Sequence, residues 1–383
     1  MFKSKIKIVL QEFAPFLMLL AIYRRCEFRL QCTRRDRIFK RLRMFGSTSF
    51  DSKKRDLPSI HGINRVLWIG ADDNQDNLGF LEELRSIVQV DVFANYEGAL
   101  KLSYSATRSD NHTQNAKTLL ELLSASSSRY QIIIGQFWPE LIDLNYPPLK
   151  QLIKMKAIKI ICVAMDDFMP ARWLPDQFSQ IAGPAGHGKA VDLYATSDVD
   201  SIQRYASLGL KAIYLPFGCS SSILQPGMVR DLDVVFVGSN YGQRKNIIES
   251  LVQSGINVHA YGPGFTNGRV SSEQIKNLYS RAKIILGICN VGYQLRERNL
   301  KTRDFDAISS KALYIANACN DFNQFFSPNL HYIDYSSFDE LLLKIRYYLA
   351  NSEEASAISE RGYRLGMSSY RWRMNLSKVI NVE

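Results

Sequence analysis

DVVFVGSNYGQRKNIIESL, residues 233–251, runs from a short apolar stretch through a glycine turn into a helix-period segment. A buried strand that empties through Gly238 and Ser239 into a helix aims backbone N–H groups and the positive end of the helix at one spot. That arrangement suits a diphosphate. Arg244 and Lys245 bring two cations to the same turn. Further on, KTRDFDAISSKALYIANACNDFNQFF, residues 301–326, offers Arg303 and Asp306 at the start of another helix. A guanidinium suits phosphate oxygens and a carboxylate suits ribose hydroxyls. The two segments together predict a site for a sugar-bearing nucleotide.

Working outward, short apolar runs alternate with helix-period segments along most of the chain. The predicted strands are Arg65–Gly70, Val90–Phe93, Gln131–Gly135, Ala157–Met165, Val191–Ala195 and Ala212–Leu215. After the turn-rich CSSSILQPGM a second set follows: Val234–Val237, Val258–Tyr261, Lys283–Leu286, Ala312–Ala316 and one near His331–Tyr335. Helices are predicted at Gln243–Ser254, Ser272–Ser280 and Phe305–Ser310, and Ser337 with Glu340 reads as a capping box opening another. Apolar strands alternating with helices predict α/β architecture, with parallel sheets covered on both faces. The expected division is an arm at 1–61, a first α/β domain at 62–220, a second at 221–365 and a closing helix at 366–383. Ligands in such sheets bind beyond the carboxyl ends of the strands.

At 383 residues and 46% apolar composition, the chain has room for two ordinary cores. Its net charge of +11 is local. Residues 1–55 hold fifteen Lys and Arg against four Asp and Glu, so the other 328 residues are balanced and no nucleic-acid partner is expected. Within the arm, the apolar run Phe13–Tyr23 is 11 residues long, against the roughly 20 that span a bilayer. Arg24, Arg25 and further basic residues follow it. An apolar wedge and a polybasic stretch fit residues 1–45 to an anionic membrane surface. A packed amphipathic helix and an uncleaved signal anchor are the alternatives. The six cysteines include no CxxC pair, which fits a reducing compartment, and no histidine spacing suggests a metal.

These motifs resemble the GT-B glycosyltransferases, in particular the bacterial group similar to CgeB-type spore-maturation proteins. The resemblance rests on Val235-Phe236-Val237-Gly238-Ser239 with Arg244 after it, on Tyr261-Gly262-Pro263-Gly264, on Arg303-Asp304-Phe305-Asp306, and on the helical tail. It covers about residues 64–380. It implies two Rossmann-like domains facing a cleft, with the acceptor on the first and a nucleotide-sugar donor on the second. By the same resemblance, Asp306 would hold the ribose and Arg303 would face the phosphates. Three departures stand out: Asp306 where the family usually has Glu, Arg298 (beside Glu297) where related enzymes carry an earlier Glu, and Lys311 in place of a glycine.

The expected donor-binding set is Gly238, Ser239, Arg244, Lys245, Tyr261, Gly262, Arg303 and Asp306. For Arg244 and Lys245 a solvated helix face is the alternative, and for Tyr261–Gly264 an ordinary turn. Asp166 and Asp167 end a predicted strand, where a carboxylate can deprotonate an acceptor hydroxyl, hold it, or cap a turn. GPAGHGKA, residues 183–190, copies most of a phosphate-binding loop. Ala190 replaces its Ser or Thr, however, and a strand follows where a helix should. Asp304-x-Asp306 and Asp231-x-Asp233 resemble metal-binding acid pairs, but the two-domain pattern argues against that reading, and the GT-B resemblance implies a metal-independent enzyme with no bound cofactor. The expected activity is hexosyl transfer to a glycan or lipid-linked acceptor in envelope polysaccharide synthesis, on the cytoplasmic face of the cell membrane. A non-catalytic nucleotide- or glycan-binding protein of envelope or spore-coat assembly is the alternative.

Overall fold

The computed structural model describes residues 65–70, 78–93, 111–125, 130–165, 167–174, 181–289, 300–377 and 379–380. The basic arm, Asp166, Glu297 and Arg298 lie outside the described residues. Six strands form one sheet: β1 (Arg65–Ile69), β2 (Gln89–Val92), β3 (Ile132–Gly135), β4 (Lys159–Ala164), β5 (Leu193–Thr196) and β6 (Ala212–Tyr214), in the order β2-β1-β3-β4-β5-β6. Five form a second: β7 (Leu232–Val237), β8 (Val258–Tyr261), β9 (Ala282–Gly287), β10 (Leu313–Asn317) and β11 (Ile333–Tyr335), in the order β11-β10-β9-β7-β8. The α/β architecture with two parallel sheets is as expected from the alternation. The described residues of 98–128 and 134–214 gather into one compact unit, and those of 56–97, 129–133 and 215–383 into another.

In the second sheet β7 pairs in parallel with both β8 and β9, and β10 continues from β9 to β11. Connections therefore leave β7 in one direction and return on the other side, which makes the gap beyond β7 and β9 the topological switch point. Its strands read as apolar runs because both faces are covered. Val234, Phe236, Ile284, Leu286, Leu313 and Ile315 are buried in one core with Ile248 and Leu251 of the helix Arg244–Gln253.

The helix Thr302–Ser309 begins three residues earlier than its apolar pattern predicts. The Asp304 carboxylate accepts the Lys301 N–H at 2.8 Å, so it caps the first turn from inside. At Phe338–Ala350 the predicted cap forms, with Ser337 Oγ accepting the Glu340 N–H at 3.2 Å. The Glu340 carboxylate reaches one residue further back than a capping box requires and accepts the Ser336 N–H at 2.8 Å. GPAGHGKA folds as 3-10 turns over Pro184–Ala190, kinked at Gly188, and leads into β5. The helix Ser352–Ser369 runs through the expected boundary at residue 365. In the tail beyond it, the Asn375 amide donates to the carbonyls of Pro216 and Phe217 at 3.0 and 3.1 Å.

Candidate active site

Gly238 follows β7 directly, and its turn is zipped to the turn after β8. Gly238 N–H donates to Tyr261 O at 2.8 Å, Asn240 N–H to Pro263 O at 2.8 Å, and Asn240 Nδ2 to Gly264 O at 2.9 Å. The two glycines meet back to back. A Cβ on Gly262, which has φ +130°, would fall 2.1 Å from Gly238 O, and a Cβ on Gly238 would fall 2.4 Å from Arg303 Nη1. Close approach of main chain therefore requires glycine at 262, and the guanidinium packed on the turn leaves no room for a side chain at 238.

Two arginines converge on this turn. Arg303, in the first turn of Thr302–Ser309, is 4% exposed and donates to Val237 O at 2.5 Å and Ile288 O at 3.4 Å. Arg244, the first residue of Arg244–Gln253, is 6% exposed and donates to Ser239 O at 3.0 Å and to the same Ile288 O at 3.4 Å. Val237 and Ile288 lie at the carboxyl ends of β7 and β9, so both guanidiniums sit at the switch point. Aromatic rings support them. Phe236 lies 4.9 Å from Arg303 and 5.8 Å from Arg244, and the half-exposed Tyr241 lies 4.7 Å from Arg244. The helix Arg244–Gln253 has no acid in its first turn, so its positive end is not neutralised locally.

The electrostatics are unusual for buried cations. Among the described residues neither guanidinium has a carboxylate within ion-pair reach, and the Nε of each is buried without a hydrogen-bond partner. Burial, and then the charge of Arg303, push Arg244 down to about 10. Burial works against the charge on Arg303 as well, but the Tyr314 and Tyr279 phenols and the Asp304 carboxylate outweigh it and shift Arg303 upward. Two cations held together in low dielectric, whose hydrogen bonds among the described residues all go to carbonyls, form a ready site for an anion with several oxygens.

A second buried group supports this cradle and was not found in the sequence. The Asp304 carboxylate accepts from Tyr314 Oη and, at 3.6 Å, from Cys289 Sγ. Burial raises its pKa, and Arg303 and the Tyr314 bond hold the rise back. Asp304, half of the Asp304-x-Asp306 pair, is turned inward to hold the helix start. Among the described residues no three His, Cys, Asp or Glu side chains cluster as metal ligands do.

The structure thus brings together Gly238, Ser239, Arg244, Tyr261, Gly262 and Arg303. Two expected members turn elsewhere. The Lys245 side chain is 60% exposed and pairs with Glu249 at 3.6 Å. Asp306, one helical turn beyond Arg303, is fully buried. Its charge adds to burial in pushing the Cys219 thiol up to about 12.

Asp167, past the end of β4, is also enclosed, at 1% exposed. Thr196 Oγ1 donates to its Oδ1 at 2.9 Å, while Trp173 Nε1 and Ser201 Oγ donate to its main-chain carbonyl. Burial pushes its carboxyl up to about 7, against the hydroxyls of Thr196 and Tyr205. A group of that pKa can exchange a proton near neutrality. His187 is buried as well, and burial depresses it to about 3.

Residues 243–381 match a family model described as glycosyl transferase-like. No curated protein sequence matches the chain. Among solved structures, a sucrose-phosphate synthase from Thermosynechococcus elongatus is similar with a TM-score of 0.55 at 13% identity, over 82% of this chain and 96% of its own. Alr3699/HepE from Anabaena, solved in complex with UDP-glucose, gives 0.53 at 10% identity, over 82% of this chain and 98% of its own. At these identities the likeness is one of fold. The chain shares the two-sheet GT-B fold of these structures, and its glycosyl transferase-like match, residues 243–381, covers the segment that carries the two buried arginines.

Proposed function

We propose that the chain transfers a sugar from a nucleoside-diphosphate donor to an acceptor hydroxyl, with Arg244 and Arg303 holding the diphosphate. The observation that carries this reading is the pair of buried guanidiniums at the switch point of the second sheet, neither of which has a carboxylate within ion-pair reach among the described residues. As the sugar–oxygen bond breaks, negative charge grows on the departing diphosphate. Preformed N–H groups and cations at that place stabilise the transition state more than the ground state. The UDP-glucose complex of HepE supports a uridine nucleotide as the first donor to try. Acceptor deprotonation falls to a carboxylate of the first sheet, with Asp166 and Asp167 as candidates.

The basic arm extends the reading to location. Residues 1–45 would hold the enzyme on the anionic inner face of the cell membrane, where lipid-linked and envelope glycans are built. Co-sedimentation of the full chain with anionic vesicles, lost on deleting residues 1–45, is the expected result. Equal binding to neutral vesicles would remove this part of the proposal. The CgeB-like subgroup assignment stands on the motifs quoted above.

The deciding experiment is calorimetric titration of the full chain with UDP, GDP, ADP, CMP and dTDP. One nucleotide should bind selectively. Arg303→Ala should weaken that binding about 100-fold, the scale of a lost charge-assisted bidentate contact. Nucleotide binding unchanged in both Arg303→Ala and Arg244→Ala would overturn the assignment.

A further inference from the structure

A further guanidinium with no carboxylate within ion-pair reach among the described residues follows the first sheet's β4. Trp138 lies three residues past β3, and Arg172 lies in the 3-10 turn Pro170–Trp173 that follows β4. The Arg172 guanidinium carbon is 4.8 Å from the centre of the Trp138 ring, and both side chains are half-buried. Among the described residues no carboxylate comes within ion-pair reach of Arg172, and no carbonyl takes its side-chain N–H groups.

Both residues sit on braced main chain. Leu141 N–H donates to Trp138 O at 2.9 Å. Gly183 N–H donates to Arg172 O at 2.8 Å, and a Cβ on Gly183 would fall 2.6 Å from that oxygen. Behind Trp138, the buried His187 ring packs edge-on against Phe137 at 5.4 Å, and His187 O accepts from Asn145 Nδ2 at 3.3 Å. The pair is therefore preorganised at the carboxyl ends of parallel strands, where ligands of such sheets bind.

A guanidinium held over an indole by its carbon still has N–H groups to donate. Their fork matches the two oxygens of a carboxylate or phosphate. An indole beside it offers a flat apolar surface. We propose that Trp138 and Arg172 form an acceptor subsite, and that the acceptor carries an anionic group. Arg172 binds that group through two N–H donors while the acceptor's sugar ring lies against Trp138. This inference rests on the glycosyl-transfer reading for the meaning of "acceptor", but its binding test does not depend on the nucleotide site.

The test is titration of the full chain with glucose 6-phosphate, glucuronate and glucose, followed by intrinsic tryptophan fluorescence and calorimetry, with binding of the five nucleotides measured on the same samples. The wild-type chain should bind one of the two anionic sugars at least about ten-fold tighter than glucose, the scale of a charge-assisted pair. Which of them binds distinguishes a phosphate from a carboxylate acceptor. Arg172→Gln should erase the preference, Arg172→Lys should keep part of it, and Trp138→Leu should weaken all three sugars. None of these substitutions should alter affinity for the nucleotide that the wild type selects, which also shows that the variants are folded. Equal binding of glucose and both anions by the wild type, no binding of any of them, or an anion preference that survives Arg172→Gln would overturn the subsite. Failure of the wild type to bind any of the five nucleotides while the anion preference holds would instead sink the nucleotide reading.

Discussion

Asp167 in the first sheet and the Arg244–Arg303 pair in the second are equally buried charges, both placed just beyond the carboxyl end of a parallel strand. Their surroundings differ in kind. Asp167 is wrapped by its own sheet. Thr196 bonds its carboxyl, and Ser201 and Trp173 bond its carbonyl, so burial drives it toward the neutral acid. The arginines cannot neutralise at any ordinary pH; among the described residues their N–H groups go to main-chain oxygens and no carboxylate bonds them directly, Asp304 acting only through space. A buried acid can lose its charge where a buried guanidinium must keep it. The second arrangement therefore stores attraction for an outside anion, while the first stores a proton.

The contrast breaks most sharply at Gly262. Alanine there would drive its Cβ into Gly238 O at 2.1 Å, on a φ of +130°. Strained backbone and overpacking together should cost about 3 kcal/mol. They should also part the turns that set Gly238 and Arg303 against each other. Denaturant unfolding and nucleotide titration of Gly262→Ala should show loss of stability together with loss of binding. Near-wild-type values for both would mean that the cradle does not depend on the paired glycines.

A smaller effect sharpens the other half. The folded pKa of Asp167, about 7, lies above the usual carboxylate value of 3.8, so its stabilising contribution is complete below pH 3.8 and disappears as pH rises toward 7. His187 works in the opposite direction. Its folded pKa of about 3 lies below 6.5, so stability falls as pH drops below 6.5. Between about pH 4 and 6.5 the two slopes oppose each other in the wild type. Asp167→Asn removes one of them. Relative to the wild type, the variant should gain about 1.4 kcal/mol per pH unit between about pH 4 and 7, then level off. Urea unfolding across that range measures it, and a pH-independent difference would mean that Asp167 is charged when folded.

The order of strands and helices was legible in the sequence because strands covered on both faces must be apolar, and helices between them keep a 3.6-residue period. The glycine turn and Arg303 were legible for the same reason, since each occupies a fixed place relative to those elements. Asp304 was not. Its partners Tyr314 and Cys289 are ten and fifteen residues away, on β10 and at the end of β9, and only the folded sheet brings them to one carboxylate. The cation–π contact of Arg172 with Trp138 was hidden in the same way, by 33 residues of intervening chain.

Arg244 and Lys245 pose the finest test, because they are neighbours in sequence with like charge and were read as one pair. Successive residues on an α-helix are turned by about 100°. That rotation alone separates a guanidinium 6% exposed beneath Tyr241 from an ammonium 60% exposed beside Glu249. An exposed ion pair one helical turn apart contributes about 0.3–0.5 kcal/mol. Lys245→Ala should therefore change stability by no more than that, and nucleotide affinity by less than about three-fold at physiological salt, through long-range attraction alone. Arg244→Ala in the same titration should lose far more, since it removes bonds to Ser239 O and Ile288 O as well as a charge at the cradle. Equal losses from the two substitutions would mean that net charge near the turn governs binding rather than placed N–H groups, and the contrast between the cradle and an ordinary basic surface would dissolve.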